Sequence, residues 1–243
     1  MEGRVYFERG TIEDNNVARR LFGEAISMCP ELPMGYLFMA QVHSVDYWLG
    51  STKSPRESIG KAIELAQKSL ALDNTLAEAH GFLSGFYTIK REYDKAIAEG
   101  EQAVALNPSG ATVIAQYATS LDFAGRSQEA IPLFEKAIRL NPFGPPLYYR
   151  QFGNALYMTG RFEEAVSAYK KALQLQPNNI WPHLMLSATY SKMGREEEAR
   201  AEATEVLRIN PKFSLDFWAK TSAYKEQSVR DNLLNALRKA GLK

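Results

Sequence analysis

Residues 111–144 read ATVIAQYATSLDFAGRSQEAIPLFEKAIRLNPFG, and the fold can be argued outward from this stretch. Its first half places Ile114, Tyr117, Ala118 and Leu121 at steps that share one helical face. Gly125 follows where a helix is expected to end, because glycine accepts the left-handed conformation of a C-terminal cap. Ala130, Phe134, Ala137, Ile138 and Leu140 give a second helical stripe, which Asn141-Pro142 stops. The stretch is predicted to be a helical hairpin. Alanine at the crossing lets two helices approach closely while an aromatic side chain fills the space beside it.

The punctuation recurs: Leu106-Asn107-Pro108, Leu140-Asn141-Pro142, Leu175-Gln176-Pro177 and Ile209-Asn210-Pro211 close successive segments at intervals of 34, 35 and 34 residues. A period in that range signals a solenoid in which each unit buries its apolar face against its neighbours. The internal pattern recurs as well. Gly153, Gly160, Phe162, Ala165, Tyr169 and Ala172 repeat it downstream, followed by Leu186, Tyr190, Gly194 and Ala199; Leu83, Tyr87, Tyr93, Ala96 and Ala103 repeat it upstream. On these residues the chain resembles the tetratricopeptide repeat family. The resemblance implies an all-α, right-handed superhelix of antiparallel helix pairs with a C-terminal capping helix. Units are expected at about 1–30, 31–76, 77–110, 111–145, 146–179 and 180–213, with capping helices over 214–243. Three departures stand out: Arg91 replaces the glycine between helices, Gly100 replaces the aromatic of a second helix, and Pro132 lies inside one, where a kink is expected.

The ends are less regular. Ala18, Phe22, Ala25 and Pro30 reproduce a second-helix stripe with Asp14 or Asn15 as N-cap, and the helix before it is expected only over about 2–9. So short a helix reads as the remnant of a longer protein cut at Met1. Tyr36 to Leu49 is expected to prolong a first helix, followed by a loop at Gly50-Ser51-Thr52-Lys53. Ser54-Pro55-Arg56-Glu57 then reads as a capping box with a proline at the first helical position, starting a helix from Pro55 to about Leu72. Tyr47 and Trp48 end the prolonged helix as either a packing adaptation or a contact surface. Beyond Pro211, Ser214 is expected to cap a short helix through Trp218. Tyr224-Lys225 falls in a connection, and Ser228 is expected to cap a final helix whose Val229, Leu233, Leu234 and Leu237 share one side. That helix reads as a lid over the last unit.

Composition narrows the function. Lysine and arginine total 29 against 28 acidic residues, so no excess positive charge draws the chain to nucleic acid or anionic lipid. No stretch approaches the length of a membrane span, the single Cys29 cannot form an internal disulfide, and the expected compartment is the cytoplasm. His80 and His183 occupy equivalent places in different units, with no cysteine or carboxylate at a ligand spacing, and read as histidines at the edge of the core. The glycines lack the strand, lysine and hydroxyl residue of a phosphate loop, and Glu196-Glu197-Glu198 suits a helix start. No catalytic residue, metal or cofactor is expected, and the chain is read as a binding protein.

In the resembling family, fixed positions of each first helix line a groove. Carried onto this chain, they give Phe38, Gln41, Phe82, Gln116, Thr119, Asp122 and Phe123, then Arg150, Asn154, Tyr157, Trp181 and Met185. Such a surface suits a peptide or protein, with side-chain amides for its backbone and apolar pockets for its anchors. Arg150 and Asn154 imitate half of a carboxylate clamp, but the next unit has Trp181 and Met185 where the other half would stand. A second reading makes Trp48 or the lid a contact between copies of the chain. Residues 13–22, Asp46 to Gly50, and Tyr224-Lys225 with Leu237 to Leu242 look like the C-terminal repeat region of bacterial class III adenylate/guanylate cyclases. Related regions also follow DNA-binding domains in bacterial regulators. The resemblance implies a regulatory scaffold beside a catalytic domain that this chain lacks.

Overall fold

The computed structural model describes residues 11–49, 51–52 and 54–243. All thirteen elements among them are helices: α1 (Ile12–Met28), α2 (Pro33–Leu49), α3 (Pro55–Leu72), α4 (Ala77–Ile89), α5 (Tyr93–Leu106), α6 (Ala111–Phe123), α7 (Ser127–Leu140), α8 (Pro146–Met158), α9 (Phe162–Leu175), α10 (Ile180–Lys192), α11 (Glu196–Ile209), α12 (Leu215–Thr221) and α13 (Gln227–Lys239). The chain divides into two compact units, residues 1–120 and 121–243. The helix predicted over 2–9 lies outside the described residues, as do Gly50 and Lys53 of the predicted loop.

The hairpin turns explain the glycine spacing. Backbone N–H groups of Arg126, Arg161 and Arg195 reach back to the carbonyls of Leu121, Leu156 and Tyr190 at 2.8–2.9 Å. This six-to-one closure requires a left-handed residue just before the donor, and Gly125, Gly160 and Gly194 supply it at φ +87°, +78° and +75°. Glu92 closes the α4–α5 turn onto the Tyr87 carbonyl in the same way, at 2.9 Å. There the left-handed position is held by Arg91 at φ +61°, so the turn keeps its form and a side chain bears the strain. At the other end of each hairpin, Asn107, Asn141, Gln176 and Asn210 donate the last helical hydrogen bond, and the proline that follows has no N–H with which to continue.

In the first unit α2 packs on α3 and α4 on α5. Leu37, Ile59, Leu83 and Phe86 form a common core, and Ala18, Phe22 and Val42 join α1 to α2. Gly100 is explained here: a Cβ on it would lie 2.4 Å from the Tyr117 ring, so an aromatic from the next first helix occupies the space. In the second unit α8 pairs with α9 and α10 with α11. Tyr169 is fully buried against Gly153, where a Cβ would come within 2.6 Å of its ring.

Several local expectations are corrected. Thr11, not Asp14 or Asn15, caps α1 by accepting from the Asp14 N–H, while Asn15 turns inward to the Val42 carbonyl and Asp46 carboxylate. Ser54 stands at the N-cap of α3 but makes no side-chain cap bond, so the capping box does not form, although the helix begins at Pro55 and ends at Leu72. Glu226, not Ser228, precedes α13. Pro132 does lie inside a helix, α7, with its ring exposed.

Candidate peptide-binding site

The first helices of the second unit, α8 and α10, pack against each other. In α10 every residue from Pro182 to Tyr190 is buried, so the helix is covered on all sides. The cover is the C-terminal segment. The helix α13 packs on α10 through a face that buries Leu233, Leu234 and Leu237, and Val229 beside them is half-buried. The non-helical segment before it, Ser222 to Glu226, reaches the end of α6. Its Tyr224 ring lies 4.6 Å from that of Phe123, and the Lys225 N–H donates to the Phe123 carbonyl at 2.9 Å. Arg230 of α13 donates to the carbonyls of Tyr224 and Lys225, which holds the segment in shape.

The chemistry beneath Tyr224 is unusual for a protein interior. Asp122 is buried and accepts from Ser127 Oγ at 2.6 Å; burial pushes its carboxyl up to about 7, against the pull of that hydrogen bond. Arg150 is half-buried by surface area, yet protein surrounds its guanidinium closely enough that desolvation draws it down to about 10, and no carboxylate among the described residues pairs with it. Burial raises the Tyr157, Tyr169 and Tyr224 hydroxyls above their ordinary range. Tyr169 donates to Asn154 at 3.0 Å, and Asn154 donates to Gln151 at 2.7 Å. The Tyr157 and Tyr224 hydroxyls are buried without a hydrogen-bond partner.

Of the positions carried over from the repeat pattern, Phe123, Arg150, Asn154 and Tyr157 therefore gather around this segment, directly or through shared partners. Met185 is buried in α10, and Trp181 is half-buried at its start. In the first unit, Phe38 stacks on Phe22 at 5.1 Å and Phe82 on Phe86 at 6.3 Å. Gln41 is half-buried, and Thr119 returns its hydroxyl to the Ala115 carbonyl. Gln116 rests over Gly81, with its amide oxygen buried and unpartnered. Tyr47 and Trp48 meet edge-on at 5.1 Å, and Trp48 is 57% exposed. Sequence reasoning placed Tyr224-Lys225 in a connection but gave it no role, because nothing local to those residues encodes the helices they fold against.

His80 and His183 do occupy equivalent places, each with Nδ1 2.6 Å from a glutamate of the partner helix, Glu99 and Glu202. Among the described residues no group of three or more histidine, cysteine or acidic side chains is placed to hold a metal ion. No helix among them is long and apolar enough to cross a membrane.

Two models of one repeat family match the chain: a tetratricopeptide repeat over residues 111–143 and 183–213, and a TPR repeat over 153–194. Residues 111–143 and 153–213 are therefore similar to tetratricopeptide repeats. Solved structures agree on the fold. YrrB, a TPR protein with an unusual peptide-binding site, is 23% identical with a TM-score of 0.52, over 82% of this chain and 97% of its own. A chain of the APC/C hetero-tetramer Cut9-Hcn1 is 17% identical with a TM-score of 0.72, over 97% of this chain but 43% of its own. A thermophilic TPR protein from Thermus thermophilus is 22% identical with a TM-score of 0.59, over 75% of this chain and 98% of its own. No curated protein matches the chain.

Proposed function

We propose that this chain is a non-enzymatic protein-interaction module that binds extended peptide segments on the first helices of its repeats. The observation that carries the reading is the seating of residues 222–226, a non-helical segment held by an aromatic contact and a main-chain hydrogen bond to a helix end. YrrB, with its peptide-binding site, lends the reading support by analogy of fold. The finer reading is the regulatory region of a bacterial class III nucleotide cyclase, on the strength of residues 13–22, 46–50 and 224–242, with the repeat region of a transcriptional regulator as the alternative. The mass of the native gene product tests it, and a product no larger than this chain contradicts it.

The binding reading is tested by selecting ligands for the purified chain from a displayed peptide library. Phe38→Ala, Phe82→Ala and Arg150→Ala are each expected to weaken the ligands of their own unit at least tenfold, while Lys171→Ala on an exposed second-helix face leaves affinity unchanged. Ligands indifferent to all three substitutions would place the site elsewhere. Self-association is a second reading, favoured by the exposure of Trp48 beside Tyr47. Light scattering checks it: a dimer lost in Trp48→Ala supports it, and a monomer at high concentration removes it.

A further inference from the structure

The turn between α7 and α8 displays an aromatic side chain to water. The residue after the closing proline is Ser109, Asn178 and Lys212 in the turns that match it, and here it is Phe143, 97% exposed. A ring that touches almost nothing of its own chain contributes little to the fold, so a polar residue would serve the turn equally well. The turn also holds the ring in a fixed place. Gly144 donates its N–H to the Asn141 carbonyl at 3.0 Å, the Tyr149 hydroxyl donates to the Pro142 carbonyl at 3.0 Å, and prolines at 142, 145 and 146 restrict the backbone on both sides. A Cβ on Gly144 would lie 2.7 Å from the Tyr148 ring, so the inner side of the turn is filled and Phe143 is left outside it. An anchor held in this way loses little freedom on binding.

The helix that begins beside this ring ends at a hole of matching size. A cleft of about 230 Å³ opens between the last turn of α8, the start of α9, the end of α10 and α13, lined by Tyr157, Met158, Phe162 and Val229 with Lys192 and Asn232. Its volume is below the ~300–1,000 Å³ of sites for drug-sized molecules and above the ~150 Å³ that encloses a benzene ring, so it suits one aromatic side chain. The Tyr157 and Phe162 rings already stand 5.5 Å apart and tilted, an arrangement that a third ring extends, and the Lys192 ammonium complements the negative face of that ring. We propose that Phe143 of one copy of this chain inserts into this cleft of the next, so that copies associate head to tail. The inference goes beyond the peptide-binding reading and does not depend on it. Knob and hole stand at opposite ends of α8, about 20 Å apart at 1.5 Å per residue, so a copy cannot fill its own cleft. The two surfaces differ, and each contact leaves one knob and one hole open for further copies. A single ring buries ~150–250 Å², and contacts well under about 1,200 Å² belong to weak, reversible encounters, so the assembly should follow concentration.

Sedimentation equilibrium of the full chain over a wide concentration range reads the assembly. The weight-average mass of wild type should rise with concentration past that of a dimer, without a plateau. Phe143→Ser, which copies the residue of the α5–α6 turn, removes the knob; Asn232→Trp lays an indole over the cleft from an exposed position and closes the hole. Each variant alone should stay monomeric where wild type associates, its self-affinity lowered at least about tenfold as for the loss of an aromatic anchor, with its circular dichroism unchanged. Mixed one to one, the two variants should form a pair and nothing larger, because one intact knob then meets one intact hole. A monomeric wild type, association that survives either substitution, or a mixture that stays monomeric overturns the proposal. A dimer lost in Trp48→Ala but kept in Phe143→Ser overturns it as well and places self-association at the insertion. None of these outcomes bears on the library ligands of the peptide-binding reading.

Discussion

Asp122→Asn should make the protein more stable, by an amount that depends on pH. The carboxyl is buried, and the structure raises it from an ordinary 3.8 to about 7 because its charged form has lost water. The sign follows from proton counting. Between those two values the folded chain holds a proton that the unfolded chain has released, so stability is highest below about 4 and falls as pH rises toward 7. With each tenfold in the proton equilibrium worth about 1.4 kcal/mol, the full penalty above pH 7 is about 4 kcal/mol, and more than half of it accrues between pH 5 and pH 8. Asparagine has the same shape and its oxygen still accepts from Ser127, but it carries no charge to desolvate. Urea unfolding followed by circular dichroism at pH 5 and pH 8 reads the difference directly. The stability gap between variant and wild type should widen by about 2–3 kcal/mol from pH 5 to pH 8. A gap of constant size would show that Asp122 does not titrate abnormally and that the interior beneath Tyr224 is wetter than its burial implies.

Three further outcomes follow from single contacts. Gly153→Ala forces a methyl to within 2.6 Å of the Tyr169 ring, and thermal or urea unfolding should show a loss of about 1–2 kcal/mol despite the better helix former. Arg91→Gly relieves a side chain at φ +61° in a turn whose three counterparts use glycine, and the same measurement should show a gain of about 1 kcal/mol. The Glu202 hydrogen bond raises His183 above its ordinary 6.5, so this pair stabilises the last hairpin fully below about 6.5 and loses its contribution as pH climbs through the raised value. Glu202→Gln should flatten that part of the pH profile, and a profile identical to wild type would break the assignment.

What was legible in the sequence, and what was not, divides by the range of the interactions involved. The hairpins were readable because each is specified within its own 34 residues: glycine where the chain must turn left-handed, alanine where helices cross, and proline where a helix must stop. The helix from Pro55 to Leu72 and the short helix after Ser214 were legible on the same local grounds. Arg91 and Gly100 looked like defects in the pattern and are accommodated, one by a strained backbone and the other by Tyr117 from the next unit. The capping errors differ in kind: Thr11 competes with Asp14, Ser54 stands at the cap position without bonding, and α13 begins before Ser228, behind Glu226. The seat of Tyr224 was beyond reach for a different reason. Family register identified Phe123, Arg150, Asn154 and Tyr157 as a surface, but no periodicity says that a tail about 70–100 residues downstream returns to cover them.

The most direct test of the account maps where a ligand binds. Hydrogen exchange read by mass spectrometry, on the full chain with and without a library-selected peptide, resolves protection helix by helix. The account predicts that protection rises on the first helices of the hairpins, α2, α4, α6, α8 or α10. Protection confined to the second helices, α5, α7, α9 or α11, would contradict it.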